Sequence, residues 1–200
     1  MTGVPRLLLV TDRLQTAGRP LDEVVTECVS GGVDHVLVRE RDLSTASYDG
    51  LLARVRQRVG TGVTVLGRDA RSGSSACQLS SDAPWPPLRP ALIGRSVHDT
   101  DGVRRAADEG ADFVVAGPFA ATTSKPGYGP ALGLRGIQAL VDQAGGLPLL
   151  AVGGVRPTDL APLAAVGATG AAVMGPLMRA RAPRAVAREY VEAAQAFRPD

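Results

Sequence analysis

One of the two histidines stands where a proton-transfer group would be useful. His98 directly follows an apolar run at residues 91–97. An imidazole titrates near neutral pH, so it can remove a proton from one atom and return it to another. The position also suits a residue that starts a helix beside the capping Asp99, and this alternative stays open. His35 opens an apolar run instead of ending one, and we expect it to be structural.

Two arginines flank a glutamate at the end of an earlier apolar run. Alternate residues of a strand point to the same side, so Arg39 and Arg41 share one face and Glu40 takes the other. Two guanidinium groups on one face favour recognition of an anionic ligand. An Arg–Glu network that closes the end of the fold would use the same triplet. The triplet alone leaves both interpretations open.

Glycines follow the last two apolar runs. Gly153 and Gly154 end one run, and Met174 and Gly175 stand at the matching end of the next. Glycine lets main-chain N–H groups approach an anion closely, as in many phosphate sites. A Gly-Gly pair alone is more often a tight turn. The match with Gly175 favours phosphate binding.

A polar loop at residues 120–129 supplies further candidate ligand-binding groups. Thr122, Ser124 and Lys125 lie in it, and Lys125 is the only lysine of the chain. Its ammonium group can meet a phosphate or a carboxylate. A lysine that is simply solvated in a loop is the alternative.

The elements that must position these residues form a regular series. The apolar runs are continuous rather than alternating, which is typical of parallel strands covered on both faces, and amphipathic segments with helical spacing separate several of them. The runs occupy residues 6–12, 35–40, 63–67, 76–80, 91–97, 112–118, 147–154 and 170–176. This βα series predicts an α/β fold, a (β/α)8 TIM barrel formed by one domain over residues 1–200.

The barrel explains why the candidate residues recur at the ends of runs, because active sites of such barrels lie at the carboxyl ends of the strands. An open doubly wound sheet is the alternative. It usually has a glycine-rich turn after the first strand, where residues 11–13 are Thr-Asp-Arg. We also expect abbreviated third and fourth crossovers. The third connecting segment, residues 68–75, is short, and the fourth, residues 82–90, contains too many prolines to form a helix. Trp85 is expected to cover the gap.

The composition of the chain excludes several classes of protein. The chain has 200 residues, 44% of them hydrophobic, and a net charge of +2, so we expect a folded, soluble, cytoplasmic protein that binds neither membranes nor nucleic acid. Cys28 and Cys77 have neither metal-ligand spacing nor a disulfide framework around them. Both are predicted to be buried thiols.

Several of these segments together resemble one known family. They are VLVRERDLS (36–44), LIGRSVHD (92–99), GADFVVAGPF (110–119) with TTSKPG (122–127), LPLLAVGGV (147–155) and GATGAAVMGPL (167–177). The ordered set is similar to the superfamily of thiamine-phosphate synthase and TenI-like proteins. The resemblance covers nearly the whole chain and implies a phosphate-binding barrel of thiamine biosynthesis.

The resemblance implies two competing activities. The synthase couples hydroxymethylpyrimidine pyrophosphate to thiazole phosphate with Mg²⁺, but its Asn-Asp pair after the third strand corresponds to Gly67 and Arg68, and only Asp82 is left as a metal ligand. The TenI-like thiazole tautomerase fits better, because its acid/base histidine corresponds to His98. That isomerase aromatises a carboxythiazole phosphate without metal or cofactor.

The remaining expectations follow from the tautomerase interpretation. Ser96 and Thr122 would orient the phosphorylated thiazole, while Lys125 and the two arginines would meet its negative charge. Gly175 stands where the superfamily often has serine. A non-catalytic protein that binds a thiazole or thiamine phosphate remains a third interpretation, and the apolar stripe at residues 185–197 leaves a homo-oligomer open.

Overall fold

The predicted strands all form and join into one parallel barrel. The structure, a computed structural model, describes residues 3–70, 75–121 and 130–197. The strands are β1 (Leu7–Val10), β2 (His35–Leu37), β3 (Thr64–Leu66), β4 (Ala76–Leu79), β5 (Leu92–Val97), β6 (Phe113–Ala116), β7 (Leu149–Val152) and β8 (Gly170–Val173). Their order around the sheet is β3-β2-β1-β8-β7-β6-β5-β4. The expected TIM-barrel fold is therefore confirmed.

The barrel closes between β3 and β4 through a single bridge. Gly67 pairs with Cys77 in parallel. The Gly67 N–H donates to the Ala76 carbonyl at 3.0 Å, and the Gln78 N–H donates to the Gly67 carbonyl at 2.9 Å. The other neighbouring strands pair over at least three residues each. The seam between β3 and β4 is thus much the shortest junction of the barrel.

Apolar side chains fill the barrel and coat its outside, as strands covered on both faces require. The interior cluster consists of Leu8, Val10, Leu37, Leu66, Ala76, Leu92, Phe113, Val115, Leu150 and Ala172. A second, larger cluster lies between the strands and the helices. This two-sided burial explains why the strand segments are continuously apolar in sequence.

Helices cover most of the outer surface. They are α1 (Leu21–Ser30), α2 (Thr45–Val59), α3 (Thr100–Asp108), α4 (Gly133–Gln143), α5 (Leu160–Ala165), α6 (Gly175–Met178) and α7 (Pro183–Ala193), with 3₁₀ turns at Arg13–Gln15, Pro157–Asp159 and Ala194–Phe197. Side-chain caps fix two starts: Ser44 accepts from the Ser47 N–H and Asp99 from the Gly102 N–H.

The third and fourth crossovers are abbreviated, as predicted. No helix occurs between β3 and β5 in the residues described there. Trp85 instead packs against Cys77, Leu79 and Ile93 on the outer face of β4 and β5. The expectation that this tryptophan covers the thin wall is confirmed.

Arg95 holds the segment that carries Trp85. Its side chain is 1% exposed and its Nη1 donates to the carbonyls of Ser80, Ser81 and Ala83 at 3.1, 3.1 and 2.9 Å. Its Nε lies 2.7 Å from the Glu109 carboxylate on the C-cap of α3. The guanidinium also lies over the Trp85 ring, 5.6 Å from its centroid. One buried arginine therefore fastens residues 80–85, which we name the strap, to the barrel.

Other expectations concern the thiols and the membrane. Cys28 and Cys77 are both buried and free, as predicted. His35 is buried at the start of β2, where its ring contacts the Asp34 carboxylate and the Gly3 carbonyl, which fits the structural role expected for it. Within the described ranges, every helix is too short or too polar to cross a lipid bilayer.

Candidate active site

A cavity of about 570 Å³ opens at the carboxyl ends of the strands. Every predicted site residue that the structure describes lines it: Arg39, Arg41, Ser96, His98, Gly153, Gly154, Met174 and Gly175. The predicted Thr122, Ser124 and Lys125 lie outside the described residues. The predicted site residues that the structure describes therefore share one cavity.

His98 lies on the rim of the cavity just after β5 and is exposed there. Its Nδ1 is 2.8 Å from the Gly117 carbonyl oxygen. Because a carbonyl only accepts hydrogen bonds, Nδ1 carries a proton, and the neutral ring has its lone pair on Nε2. Asp99 caps α3, so His98 also stands directly before a helix start, as the alternative interpretation has it. In this tautomer the basic atom of the ring is Nε2.

A buried amide lies beneath the rim. Gln78 on β4 is 6% exposed, and its Nε2 donates to the Ser96 hydroxyl at 3.3 Å and to the Leu79 carbonyl at 3.4 Å. Its Oε1 is buried and accepts no hydrogen bond within the described part of the chain. Buried amide oxygens are rarely left in that state, so this oxygen suits a hydrogen-bond donor on a ligand.

Glycine at position 94 makes room for this amide. A Cβ there would lie 2.1 Å from the Gln78 Oε1 and 2.4 Å from the Phe113 Cζ. Any larger residue would push the amide or the interior aromatic ring out of place. Gly94 was recognised in the sequence only as part of an apolar run, because the crowding involves strands on both sides of it.

The Arg-Glu-Arg triplet divides its side chains as strand alternation predicts. Arg39 and Arg41 line the cavity. Glu40 is buried, accepts from the Thr11 hydroxyl at 2.7 Å, and accepts from the main-chain N–H of Arg13 at 3.1 Å on both oxygens. Glu40 therefore joins the ends of β1 and β2. Recognition of an anion by Arg39 and Arg41 stays a prediction.

Arg39 is poorly compensated. Loss of hydration lowers the pKa of its guanidinium, and the neighbouring charge of Arg41 lowers it further, while the charges of Asp12 and Glu40 offset only part of this shift. Among the residues that the structure describes, none forms a hydrogen bond or ion pair with this guanidinium. A partly buried cation without an anionic partner favours a ligand that brings the negative charge.

The glycine rim follows β7. Gly153 and Gly154 have φ values of 92° and 69°, and a Cβ on Gly154 would lie 2.7 Å from the Ala121 carbonyl oxygen. Both conformation and space therefore require glycine here. The turn is tight, as one interpretation predicts, and it also lines the cavity beside Gly175.

Several lining residues were not predicted as ligand-binding groups. Arg156 and Arg179 add two cations, while Ser80, Ser81 and Asp82 come from the strap. Hydrogen bonds from its own main-chain N–H and from the Ser80 side chain lower the pKa of Asp82. The helical spacing of four residues between Gly175 and Arg179 was an available signal, since it places both on one face of a helical turn.

Comparison with known proteins gives a consistent result. The profile of a family described as "Thiamine monophosphate synthase" matches residues 87–177. A protein of Geobacter sulfurreducens named putative thiamine-phosphate synthase is 31% identical over 91% of both chains. The thiamine-phosphate synthase of Natronomonas pharaonis is 33% identical over 96% of both chains. The solved thiamine phosphate pyrophosphorylase from Pyrococcus furiosus has the same fold, with a TM-score of 0.78 at 22% identity over 96% of both chains.

Proposed function

Since the chain belongs to the thiamine monophosphate synthase family, we propose that its cavity takes a phosphorylated, carboxylated dihydrothiazole and aromatises it by proton transfer through His98. Membership makes it an enzyme of thiamine biosynthesis. The finer assignment, a thiazole tautomerase, is carried by one observation: His98 lies on the cavity rim with its Nδ1–H on the Gly117 carbonyl. That bond leaves Nε2 as the basic atom.

The names of the relatives favour the other activity of the family, thiamine-phosphate synthase. That reaction needs Mg²⁺ on a pyrophosphate, and Mg²⁺ prefers carboxylate oxygens. Asp82 is the only carboxylate among the described residues that line the cavity. Residues 71–74 and 122–129 contain no Asp or Glu. The donor set does not fit a Mg²⁺–pyrophosphate complex.

Nor do the residues after β3 suit a metal. Arg68 stacks 4.0 Å above the Tyr48 ring and donates to the Glu40 and Leu43 carbonyls. Its main-chain N–H donates to the Tyr48 hydroxyl at 2.8 Å. Arg68 therefore fixes the end of β3 against α2. The next residue, Asp69, has its carboxylate 3.7 Å from the Arg68 Nε and is not among the residues that line the cavity.

The proposed reaction moves one proton and changes no oxidation state. The His98 Nε2 removes a proton from a ring carbon, and the electron pair delocalises over the ring and its exocyclic double bond. The imidazolium then returns the proton to a carbon at the other end of that π-system, which yields the aromatic thiazole. A single base that serves both carbons needs a substrate that is held at both ends.

The charges of the cavity supply those two anchors. Arg39 and Arg41, after β2, would hold the carboxylate. The main-chain N–H groups of Gly153, Gly154 and Gly175, after β7 and β8, would hold the phosphate. Gln78, Ser96 and the predicted Thr122 and Lys125 would complete the contacts. The phosphate and carboxylate would then lie on opposite sides of the ring that His98 serves.

The ultraviolet change on aromatisation tests the proposal. We expect the wild type to isomerise the carboxylated dihydrothiazole phosphate, and His98→Ala and His98→Gln to lower kcat by about 10²–10⁴-fold. His35→Gln removes the other histidine at the opposite rim and should leave kcat unchanged. Equal rates in wild type and His98→Gln would remove His98 from the mechanism.

A second assay separates the two family activities. The protein is incubated with hydroxymethylpyrimidine pyrophosphate, thiazole phosphate and Mg²⁺, and released pyrophosphate is measured. Release at a rate comparable with isomerisation would replace the tautomerase by the synthase. If both assays stay silent while calorimetry shows binding of thiazole phosphate, the protein is a binding module.

A further inference from the structure

We propose that Glu40 is a positioning residue for carboxylate recognition: through Thr11 it fixes the end of β2, from which Arg39 and Arg41 reach the ligand. The inference rests on the proposed function for the carboxylate that the two arginines would hold. Glu40 itself does not line the cavity, and its side chain is only 1% exposed. It therefore acts through its neighbours and not by touching the ligand.

The Glu40 carboxylate ends a directed chain of hydrogen bonds. The main-chain N–H of Arg39 donates to the Thr11 hydroxyl oxygen at 3.1 Å. That hydroxyl donates in turn to the Glu40 Oε1 at 2.7 Å. A hydroxyl has a single proton to donate, so the acceptor at position 40 determines how the Thr11 side chain is turned. The main chain of Arg39 is thereby held by the carboxylate of the next residue.

The same carboxylate is held on its other side by main chain. Both oxygens accept from the Arg13 N–H at 3.1 Å. The Arg13 guanidinium lies 4.0 Å from Glu40 and pairs more closely with Asp42. Burial removes the hydration of a carboxylate, and an apolar side chain of similar size would avoid that cost. A buried anion that spans two strand ends points to a geometric function in addition to packing.

The rest of the segment after β2 is fixed from outside the cavity. Arg68 donates to the carbonyls of Glu40 and Leu43. The Tyr48 hydroxyl donates to the Val38 carbonyl at 2.8 Å. The two arginines of this segment are the ones that line the cavity. Their main chain is thus held on one side, while their side chains face the ligand on the other.

Carboxylate recognition by arginine depends on this kind of support. A guanidinium and a carboxylate form two parallel hydrogen bonds only when their planes and distance match. A long side chain meets that geometry at low entropic cost only if its main chain is fixed. Loss of the support should therefore weaken binding of a carboxylated ligand and spare a ligand that lacks the carboxylate.

Calorimetry with two ligands tests the proposal without turnover. Carboxythiazole phosphate and thiazole phosphate are titrated into the full chain, and the ratio of their Kd values measures carboxylate recognition. Glu40→Gln keeps the shape of the side chain but sets an amide N–H against the Arg13 N–H. We expect this variant to raise the Kd for carboxythiazole phosphate about tenfold. The Kd for thiazole phosphate should stay nearly the same.

Variants of Thr11 test the same chain of hydrogen bonds without changing a charge. Thr11→Val keeps the shape and removes the hydroxyl, so it should reproduce the loss, whereas Thr11→Ser should rescue the wild-type ratio. Asp22→Asn is the matched control: it removes another buried carboxylate, which pairs with Arg58 between α1 and α2. It should lower stability and leave both Kd values unchanged.

A double-mutant cycle shows whether Glu40 acts through Arg39. In the Arg39→Met background, Glu40→Gln should add little to the Kd for carboxythiazole phosphate. Fully additive effects of the two substitutions would contradict the proposal, because Glu40 would then influence binding by a route other than this arginine.

The outcomes separate this proposal from the tautomerase assignment. If the wild type binds carboxythiazole phosphate but isomerises nothing, the assignment fails, and the Kd ratios still decide the function of Glu40. If the wild type isomerises its substrate and Glu40→Gln keeps the wild-type ratio, the positioning function alone is wrong. A wild type that binds both ligands equally well, or neither, also overturns it, because the arginines then hold no carboxylate.

Discussion

At the scale of single residues, Arg39 shows how a proposed ligand-binding group costs stability. Its guanidinium is partly buried, faces Arg41 and has a lowered pKa caused first by desolvation. Such a cation is less favourable in the empty cavity than an apolar side chain of similar length, because it gives up hydration without gaining a partner. Binding residues selected for a ligand often have this property.

We therefore predict that Arg39→Met separates stability from activity. The free energy of unfolding should stay level or rise by about 0.5–1 kcal/mol, while KM for the carboxylated substrate rises at least about tenfold. Urea denaturation and steady-state kinetics measure the two quantities.

Arg135→Met, an exposed substitution on α4, serves as the control and should change neither. A clear loss of stability in Arg39→Met would show that the guanidinium is compensated within the protein.

The sequence predicted the lining of the cavity well where its residues directly follow a strand. His98, Arg39 and Gly153 could be placed because the carboxyl ends of parallel strands meet at one rim. Arg179 was missed, since it stands a helical turn beyond its strand. Asp82 was considered only as a metal ligand, because its place in the cavity depends on the strap.

At the scale of elements, the strap replaces a helix. Arg95 donates to three of its carbonyls and lies 2.7 Å from the Glu109 carboxylate. In sequence, this arginine interrupts an apolar strand and gave no sign of its partners, which come from loops on either side. The abbreviated crossover itself was predictable, because residues 82–90 contain too many prolines for a helix.

Arg95→Met should lower the free energy of unfolding by about 3 kcal/mol, because three carbonyls and a carboxylate lose their partner. This loss of stability is at the low end of the range for breaking a buried ion pair, because the Glu109 side chain is 26% exposed and its carboxylate can be hydrated again. Trp85 is the only tryptophan, so its emission reports on the strap directly.

We expect the emission of Arg95→Met to shift to the red at denaturant concentrations that leave the far-ultraviolet circular dichroism native. Arg104→Met, an exposed change on α3, should leave both signals unchanged. If the emission and the circular dichroism of Arg95→Met changed at the same denaturant concentration, the strap would not depend on this arginine.

At the scale of the whole molecule, buried acids couple folding to alkaline pH. Burial raises the pKa of Cys28 and of Cys77 from 9.0 to about 12, and nearby carboxylates add to both shifts. Burial likewise raises the pKa of Tyr190 from 10.0 to about 12. The native protein keeps these protons where the unfolded chain releases them.

The sign follows from this difference in proton binding. Below pH 9 both states hold the thiol protons and stability is complete. Between pH 9 and about 12 the unfolded state ionises first, so the free energy of unfolding falls by up to about 1.4 kcal/mol per pH unit for each thiol. Urea titrations from pH 7 to 11 measure the slope.

Replacement of both thiols by Cys28→Ala and Cys77→Ala should flatten this decline while lowering stability at neutral pH. An unchanged slope in the double variant would assign alkaline sensitivity to other groups. The sequence shows only that each cysteine has apolar neighbours. It does not predict the raised thiol pKa, because that pKa depends on how completely the barrel and the helices enclose the thiol.

The short seam between β3 and β4 is a suitable place for new chain termini. Seven strand pairs are continuous, and the eighth consists of one bridge. A circular permutant that begins at β4 and ends at β3, with the original ends joined by a linker, would keep every extended ladder intact. Its two new ends would face each other across the weakest line of the wall, where engineered insertions would disturb the least hydrogen bonding.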